Sequence, residues 1–132
     1  MQMSGTASVQ VRRLLALCVA AVALLGATAA GTSGATPKPA RVTVNDFYFG
    51  PTEVTIKKGG LVKWVWSSTN SYPHDVHLKK GPKGLKNRGT YSSPGTATTE
   101  AHFQKKFPTA GTYKFICTIH PTEMHLTVVV KK

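Results

Sequence analysis

The sequence has few acidic residues, few cysteines and no long hydrophobic run. Asp and Glu account for 5 of its 132 residues, against 17 Lys and Arg, and the formal net charge is +12. A balance this basic favours anionic partners: nucleic acid, anionic lipid or envelope polymer, or an acidic protein. The length excludes large multidomain enzymes and doubly wound nucleotide-binding folds with a second domain. Hydrophobic residues make up 41% of the chain, which excludes wholesale disorder.

The longest apolar run, Leu14–Leu25, is too short for a transmembrane helix, which needs about 20 residues. Two arginines precede the run. Small residues follow it, and positions 27–29 (Ala-Thr-Ala) match the small-x-small cleavage pattern. Residues 1–30 are therefore interpreted as a secretory signal peptide, with an uncleaved anchor as the alternative. Export would place the protein in the periplasm, on the cell envelope or outside the cell.

Signal cleavage leaves the exported chain with a single cysteine. Cys18 lies inside the apolar run, so only Cys117 remains. Without a second cysteine, Cys117 is an intermolecular partner, a buried thiol or a metal ligand. The exported chain keeps 15 basic and 5 acidic residues, which is a net charge of +10.

The exported chain divides into a flexible lead-in, residues 31–40, and one domain, residues 41–132. Short alternating segments separated by turns predict an all-β domain, an antiparallel sandwich or barrel. The expected strands are Val42–Phe47, Glu53–Lys57, Leu61–Trp66, His74–Leu78, an extended segment in Thr96–Phe107, Thr112–Cys117 and His125–Lys131. Trp64 is expected in the core and Trp66 on the surface. Residues 79–95 are expected to form a long basic loop.

A thiol, an imidazole and a thioether occur close together at Cys117, His120 and Met124. A second imidazole, His74, precedes a strand well upstream. Two His, one Cys and a weakly bound Met form the trigonal ligand set suited to copper in electron transfer. The thiolate favours Cu(I), and imidazole tolerates both oxidation states. The sequence therefore predicts one copper ion bound by these four residues.

The other histidines, His77, His102 and His125, are not expected to be copper ligands. His77 is three residues from His74 in a predicted strand, which turns the two side chains to opposite faces. His125 is adjacent to Met124 in an extended chain and points away from it. A second copper site on the surface is the alternative interpretation of these residues.

Four separated segments resemble the cupredoxins, the blue copper family of plastocyanin, pseudoazurin and amicyanin. The segments are the C-x2-H-x3-M loop at 117–124, His74-Asp75-Val76, the pattern from Phe49 to Trp64 and the turn at 110–113. The resemblance covers residues 41–132. It implies a Greek-key β-sandwich in which the four residues named above bind copper. It also implies that the electron leaves through His120, with Pro73 and Pro121 in the surrounding apolar patch.

Asp75 departs from the family pattern, which usually has Asn at this position. The Asn side chain ties the His segment to the residue after the Cys, here Thr118. Asp can still accept a hydrogen bond from the Thr118 hydroxyl. An ionised carboxylate near copper favours Cu(II) by simple attraction, so Asp75→Asn is expected to raise the reduction potential.

The filled ligand set predicts an electron carrier and not an enzyme, because no coordination position is open for a substrate. Expected partners are redox proteins with acidic docking surfaces, which the basic segment Lys79–Arg88 would attract. Association with an anionic envelope surface is a further expectation, whereas nucleic-acid binding is not expected. The protein is expected to be a monomer. The alternatives are copper storage or delivery, and a metal-free adhesive β-sandwich.

Overall fold

The domain consists of two four-stranded β-sheets around one apolar core. The computed structural model describes Gly34 and residues 36–132, and residues 34–132 form one compact unit. The strands are β1 (Ala40–Asn45), β2 (Tyr48–Gly50), β3 (Glu53–Lys57), β4 (Leu61–Trp66), β5 (His77–Lys80), β6 (His102–Lys106), β7 (Gly111–Ile116) and β8 (His125–Lys131). The predicted signal peptide lies outside the described residues and stays a prediction. In the described part of the chain, no helix has the length and apolar character needed to cross a membrane.

The sheets have the strand orders β2-β1-β4-β6 and β3-β8-β7-β5. The predicted all-β sandwich is confirmed, but its sheets are mixed and not purely antiparallel. The pairs β1–β4 and β3–β8 are parallel, and the other four pairs are antiparallel. Parallel neighbours arise because the chain crosses to the second sheet for β3 before it returns to the first for β4.

Some expected strand bounds are confirmed and others differ, such as the strand expected at Val42–Phe47, which is Ala40–Asn45 because residues 46 and 47 form a turn. The expected bounds of β3, β4 and β8 are confirmed. The strand expected from His74 begins only at His77, because His74 forms an isolated bridge with Ala97. The expected basic loop contains the end of β5 and a short 3-10 turn at Arg88–Tyr91.

The core is filled by alternate residues of each strand. In β4, Val62, Trp64 and Trp66 are buried, while the residues between them are half-buried. The expectation that Trp66 lies on the surface is wrong. It is only 4% exposed, because residues two apart in a strand share a face. Trp64 is fully buried and its ring packs against Phe115 at a centroid distance of 5.2 Å.

The two ends of the sandwich are closed in different ways. At the end called here the remote end, β1 and β4 begin while β3, β6 and β8 finish. Backbone hydrogen bonds continue the pairing of β4 with β6 there, from Gly59 N–H to the Phe107 carbonyl (2.7 Å) and from Phe107 N–H to the Gly60 carbonyl (2.9 Å). The opposite end, called the site end, has the turn at 46–47 and the loops 67–76, 92–101 and 117–124. All four predicted ligands lie in these loops.

Candidate metal centre

His74 is fixed at the site end by its own backbone. It exchanges two hydrogen bonds with Ala97, each 2.9 Å long, and its carbonyl also accepts the indole N–H of Trp66 (3.1 Å). The side chain is fully buried. An anchored backbone and a buried ring give this imidazole little freedom to move.

The Asp46 carboxylate orients the His74 ring. Asp46 Oδ1 lies 2.8 Å from His74 Nε2, and the carboxylate also accepts the backbone N–H groups of Ser71 (2.8 Å) and Tyr72 (3.2 Å). The hydrogen bond with His74, followed by that from Ser71, lowers the pKa of Asp46. An ionised carboxylate can only accept hydrogen bonds, so Nε2 bears the ring proton and the lone pair of Nδ1 faces the site.

Cys117, directly after β7, is the point on which the two imidazoles converge. Its Sγ lies 4.0 Å from Nδ1 of His74 and 3.9 Å from Nδ1 of His120. The candidate ligand atoms of the three residues all lie within 4.8 Å of one another. Within residues 36–132, no other group of three or more His, Cys, Asp or Glu side chains converges in this way.

The loop 117–124 is closed on itself by backbone hydrogen bonds. Cys117 N–H donates to the Met124 carbonyl (3.3 Å), and Met124 N–H donates to the His120 carbonyl (3.0 Å). The Met124 side chain is fully buried. The loop therefore keeps the fourth predicted ligand in the same short segment as Cys117 and His120.

Asp75 ties the His74 segment to this loop. Its backbone N–H points to Cys117 Sγ at 3.4 Å, and its Oδ1 accepts the Thr118 N–H at 2.7 Å. Its Oδ2 accepts the Thr118 hydroxyl, as the sequence predicted. Asp75 thus makes the connection that an Asn is expected to make, and its carboxylate is bonded to Thr118, the residue that follows Cys117.

His120 is partly exposed and is surrounded by aromatic rings. Phe47 lies edge-on to it, with ring centroids 5.0 Å apart, and Tyr72 lies edge-on at 6.3 Å. These two rings contact each other, and both are about half exposed. Together with the exposed Pro73, Ile119 and Pro121, they form what we call the apolar patch.

Sequence reasoning identified the prolines of the apolar patch but not its aromatic rings or Asp46. Asp46 and Phe47 form the turn between β1 and β2, far from His74 in the chain. Phe47 has a left-handed backbone (φ 67°), which is uncommon for a residue with a side chain. The turn at residues 46–47 can be predicted only if β2 is predicted as well, and a strand of three residues is too short to show an alternating pattern.

The remaining histidines lie away from this cluster. His77 and His102 are exposed at the first positions of β5 and β6. His125 is exposed at the start of β8, and its Nε2 lies 3.1 Å from the Thr122 carbonyl oxygen.

The donor set of the cluster fits copper. A soft sulfur and two imidazole nitrogens converge at a largely buried point, with a buried thioether in the same loop. Thiolate and thioether select Cu(I), and imidazole suits both copper oxidation states. The arrangement can therefore hold one ion without the large change of ligands that would slow electron transfer.

Residues 39–131 match the family model described as copper binding proteins, plastocyanin/azurin family. Amicyanin-alpha of Methylorubrum extorquens is 37% identical over 109 residues, covering 77% of this chain and 87% of that protein. Plastocyanin of Scenedesmus fuscus is 33% identical over 79 residues, covering 54% of this chain and 74% of that protein. The crystal structure of amicyanin from Paracoccus versutus superposes with a TM-score of 0.57 at 29% identity, over 74% of this chain and 86% of that one.

Proposed function

The chain belongs to the plastocyanin/azurin family of copper-binding proteins, and we propose that it transfers single electrons between redox partners through one copper ion. His74, Cys117, His120 and Met124 are the proposed ligands. The convergence of Sγ and two Nδ1 atoms within 4.8 Å is the observation that carries this proposal. When bound, copper supplies the Cu(I)/Cu(II) couple.

The two imidazoles have different tasks in this proposal. His74 is fully buried, anchored through its backbone and oriented by Asp46, so it fixes the geometry of the site. His120 is the one partly exposed residue among the proposed ligands, and its ring lies edge-on to Phe47 of the apolar patch, with centroids 5.0 Å apart. The electron therefore leaves through His120, where a partner can approach its ring directly.

The apolar patch is the proposed contact surface for the redox partner. The turn at 46–47 and the loops 67–76, 92–101 and 117–124 contain no Lys or Arg. A partner with acidic residues would therefore meet basic groups only beyond the patch, beginning with Lys79 and Lys80 on β5. We propose that the contact at His120 is apolar and that any acidic docking surface of the partner lies at its edge.

Export and a monomeric state complete the proposal. Export follows from the predicted signal peptide at residues 1–30, and the relatives amicyanin and plastocyanin support the assignment as a carrier and not an enzyme. A carrier that meets two partners in turn through one patch needs that patch free, which a monomer provides.

Copper titration of the purified protein tests the proposal. We expect one equivalent of Cu(II) to produce an intense visible band from thiolate-to-copper charge transfer, and Cys117→Ser to abolish it. His125→Ala is the matched control, because this exposed imidazole lies outside the cluster. Absence of the band in the unmodified protein, or its survival in Cys117→Ser, would contradict the proposed site.

A transfer assay separates electron transfer from copper delivery. A carrier keeps its copper through repeated reduction and oxidation, whereas a delivery protein gives up Cu(I) to a metal-free acceptor. We expect the copper content to remain constant over many redox cycles in the presence of such an acceptor. Rapid loss of Cu(I) to the acceptor would instead support delivery.

A further inference from the structure

The charged residues of this protein are segregated along the strands. Every acidic residue of the sequence lies at the site end, although the chain as a whole carries +12. These residues are Asp46, Asp75, Glu100 and Glu123 in the turn and loops, and Glu53 at the first position of β3. Because those loops contain no Lys or Arg, the site end is locally negative and the positive charge lies elsewhere.

The remote end carries a dense group of exposed basic side chains. They come from the first strand, from the turn after β3, and from the last residues of β3, β6 and β8: Arg41, Lys57, Lys58, Lys106, Lys131 and Lys132. Among residues 36–132, no side-chain nitrogen of Lys or Arg lies within 4.0 Å of an Asp or Glu carboxylate oxygen. The basic groups of the described chain are therefore not neutralised by carboxylates.

Two of these basic residues, Lys57 and Lys131, are directly opposite each other in neighbouring strands, and a third, Arg41, is opposite Lys63. Like charges in directly opposed positions repel and destabilise a sheet. An anionic partner bound to this surface would offset the repulsion between these positive charges.

We propose that the remote end binds an anionic lipid membrane and that the site end faces away from it. A protein partner needs an apolar or aromatic contact area, and a charged lipid surface needs only clustered Lys and Arg. The large hydrophobic side chains exposed in the described chain are Phe47, Tyr48, Tyr72 and Ile119, and all of them belong to the site end. The remote end therefore has the chemistry of a membrane contact and not that of a protein interface.

The two ends of the sandwich are far enough apart for this orientation. The six residues of β4 span about 20 Å between the two ends. That length exceeds the physiological screening length of about 8 Å, so the carboxylates of the site end do not repel the lipid. The proposal does not depend on copper.

Vesicle binding by residues 34–132, the compact unit, tests the proposal without the upstream apolar run. We expect binding to vesicles that contain phosphatidylglycerol, none to pure phosphatidylcholine, and release by salt. The combined variant Lys57→Gln, Lys106→Gln and Lys131→Gln should lower the affinity at least about tenfold. The matched variant Lys79→Gln, Lys80→Gln and Lys114→Gln removes the same charge from β5 and β7, and its loss should stay below about threefold.

Orientation on the vesicle is tested with a polarity-sensitive dye at single introduced cysteines, since Cys117 is fully buried. We expect a spectral shift for the dye at Thr109→Cys, on the remote end, and none at Ser68→Cys, on the site end. Equal shifts at the two positions, or equal losses in the two lysine variants, would show that net charge alone drives binding and would overturn the proposal. Tighter binding to polyglutamate than to anionic vesicles would instead identify an acidic protein as the partner.

Discussion

The two ends of the sandwich are built from the same eight strands but are held together differently. At the remote end, backbone bonds of Lys58, Gly59 and Phe107 continue the strand pairing within each sheet. At the site end, side-chain bonds add to the backbone bonds of the loops: Asn70 donates to the carbonyls of Val44 and Thr98, each at 3.0 Å, and Asp75 accepts from Thr118. Side-chain hydrogen bonds can fix loop segments whose backbone groups are not paired in a sheet. The site end can therefore bring a thiol and two imidazoles together without breaking the sheets.

The same contrast appears between the two imidazoles of the site. His74 has a bonded backbone, a bonded ring nitrogen and no exposure. His120 is partly exposed and its ring contacts are aromatic. One imidazole is therefore a structural part of the domain, and the other is the contact with a partner.

The core and the site end should differ most in the loss of folding stability that follows substitution of a large aromatic residue. Trp64→Ala removes a fully buried ring and should lower the free energy of unfolding by about 3–5 kcal/mol. Phe47→Ala should cost less than about 1 kcal/mol, because this ring is 44% exposed and does not fill the core. Urea denaturation of the metal-free proteins measures both values. Similar losses in the two variants would mean that the patch rings serve the fold and not the contact.

Removing the charge that orients His74 should weaken metal binding. Asp46→Asn keeps the shape of the side chain but loses the carboxylate that fixes the His74 tautomer, and copper affinity should fall about 10- to 100-fold. Glu100→Gln is the matched control, since it removes the same charge from an exposed position at the same end. Competition with a copper chelator measures the affinities. An equal loss in both variants would assign the effect to general electrostatics.

Removing the second carboxylate should change the reduction potential. Asp75→Asn preserves an oxygen that can accept the Thr118 hydroxyl but removes a negative charge beside Cys117. Loss of that attraction disfavours Cu(II), so the potential should rise by roughly tens of millivolts. Voltammetry measures the shift, and Glu100→Gln should show a smaller one. An unchanged or lowered potential would refute the assigned role of Asp75.

The smallest expected effect is that of alkaline pH on Tyr113, which lies in the half of the core near the remote end. Burial raises the pKa of Tyr113 to about 12, and its hydroxyl donates to the Thr109 carbonyl at 2.7 Å. A raised pKa stabilises the fold below the unfolded value of about 10, and this contribution is lost as the pH rises towards 12.

Tyr113→Phe removes this titration. Near neutral pH the variant should be less stable by about 1 kcal/mol, because it lacks the hydrogen bond to Thr109. The difference should shrink between pH values of about 10 and 12, since only the unmodified protein loses stability through this group. Thermal unfolding of the two proteins over that range measures the difference. A constant gap would show that Tyr113 does not titrate as described.

The sequence predicts the strands and the ligand loop because both depend on local patterns. Alternation alone gives the bounds of β3 and β4. The three residues of β2 are too few to show a period, and parallel pairing is a property of chain crossings that no local pattern records. Trp66 shares the buried face of β4 with Trp64, so the alternation that places Trp64 in the core predicts the same for Trp66 and contradicts the expected surface position.

Asp46 and the charge segregation were beyond prediction for a different reason. Asp46 contacts His74 across 28 positions of sequence, and no spacing rule connects them. The composition shows that basic residues are numerous, but only the strand directions show that a group of them lies at the remote end. Long-range contacts of this kind depend on topology and require a structure.

X-ray absorption at the copper K-edge tests the central claim most directly, because it reports which atoms surround the metal. For the copper-loaded protein we predict one short copper–sulfur distance from Cys117 and two copper–nitrogen distances from His74 and His120. The short sulfur shell should disappear in Cys117→Ser and persist in His125→Ala. A shell of light atoms alone in the unmodified protein would contradict the account.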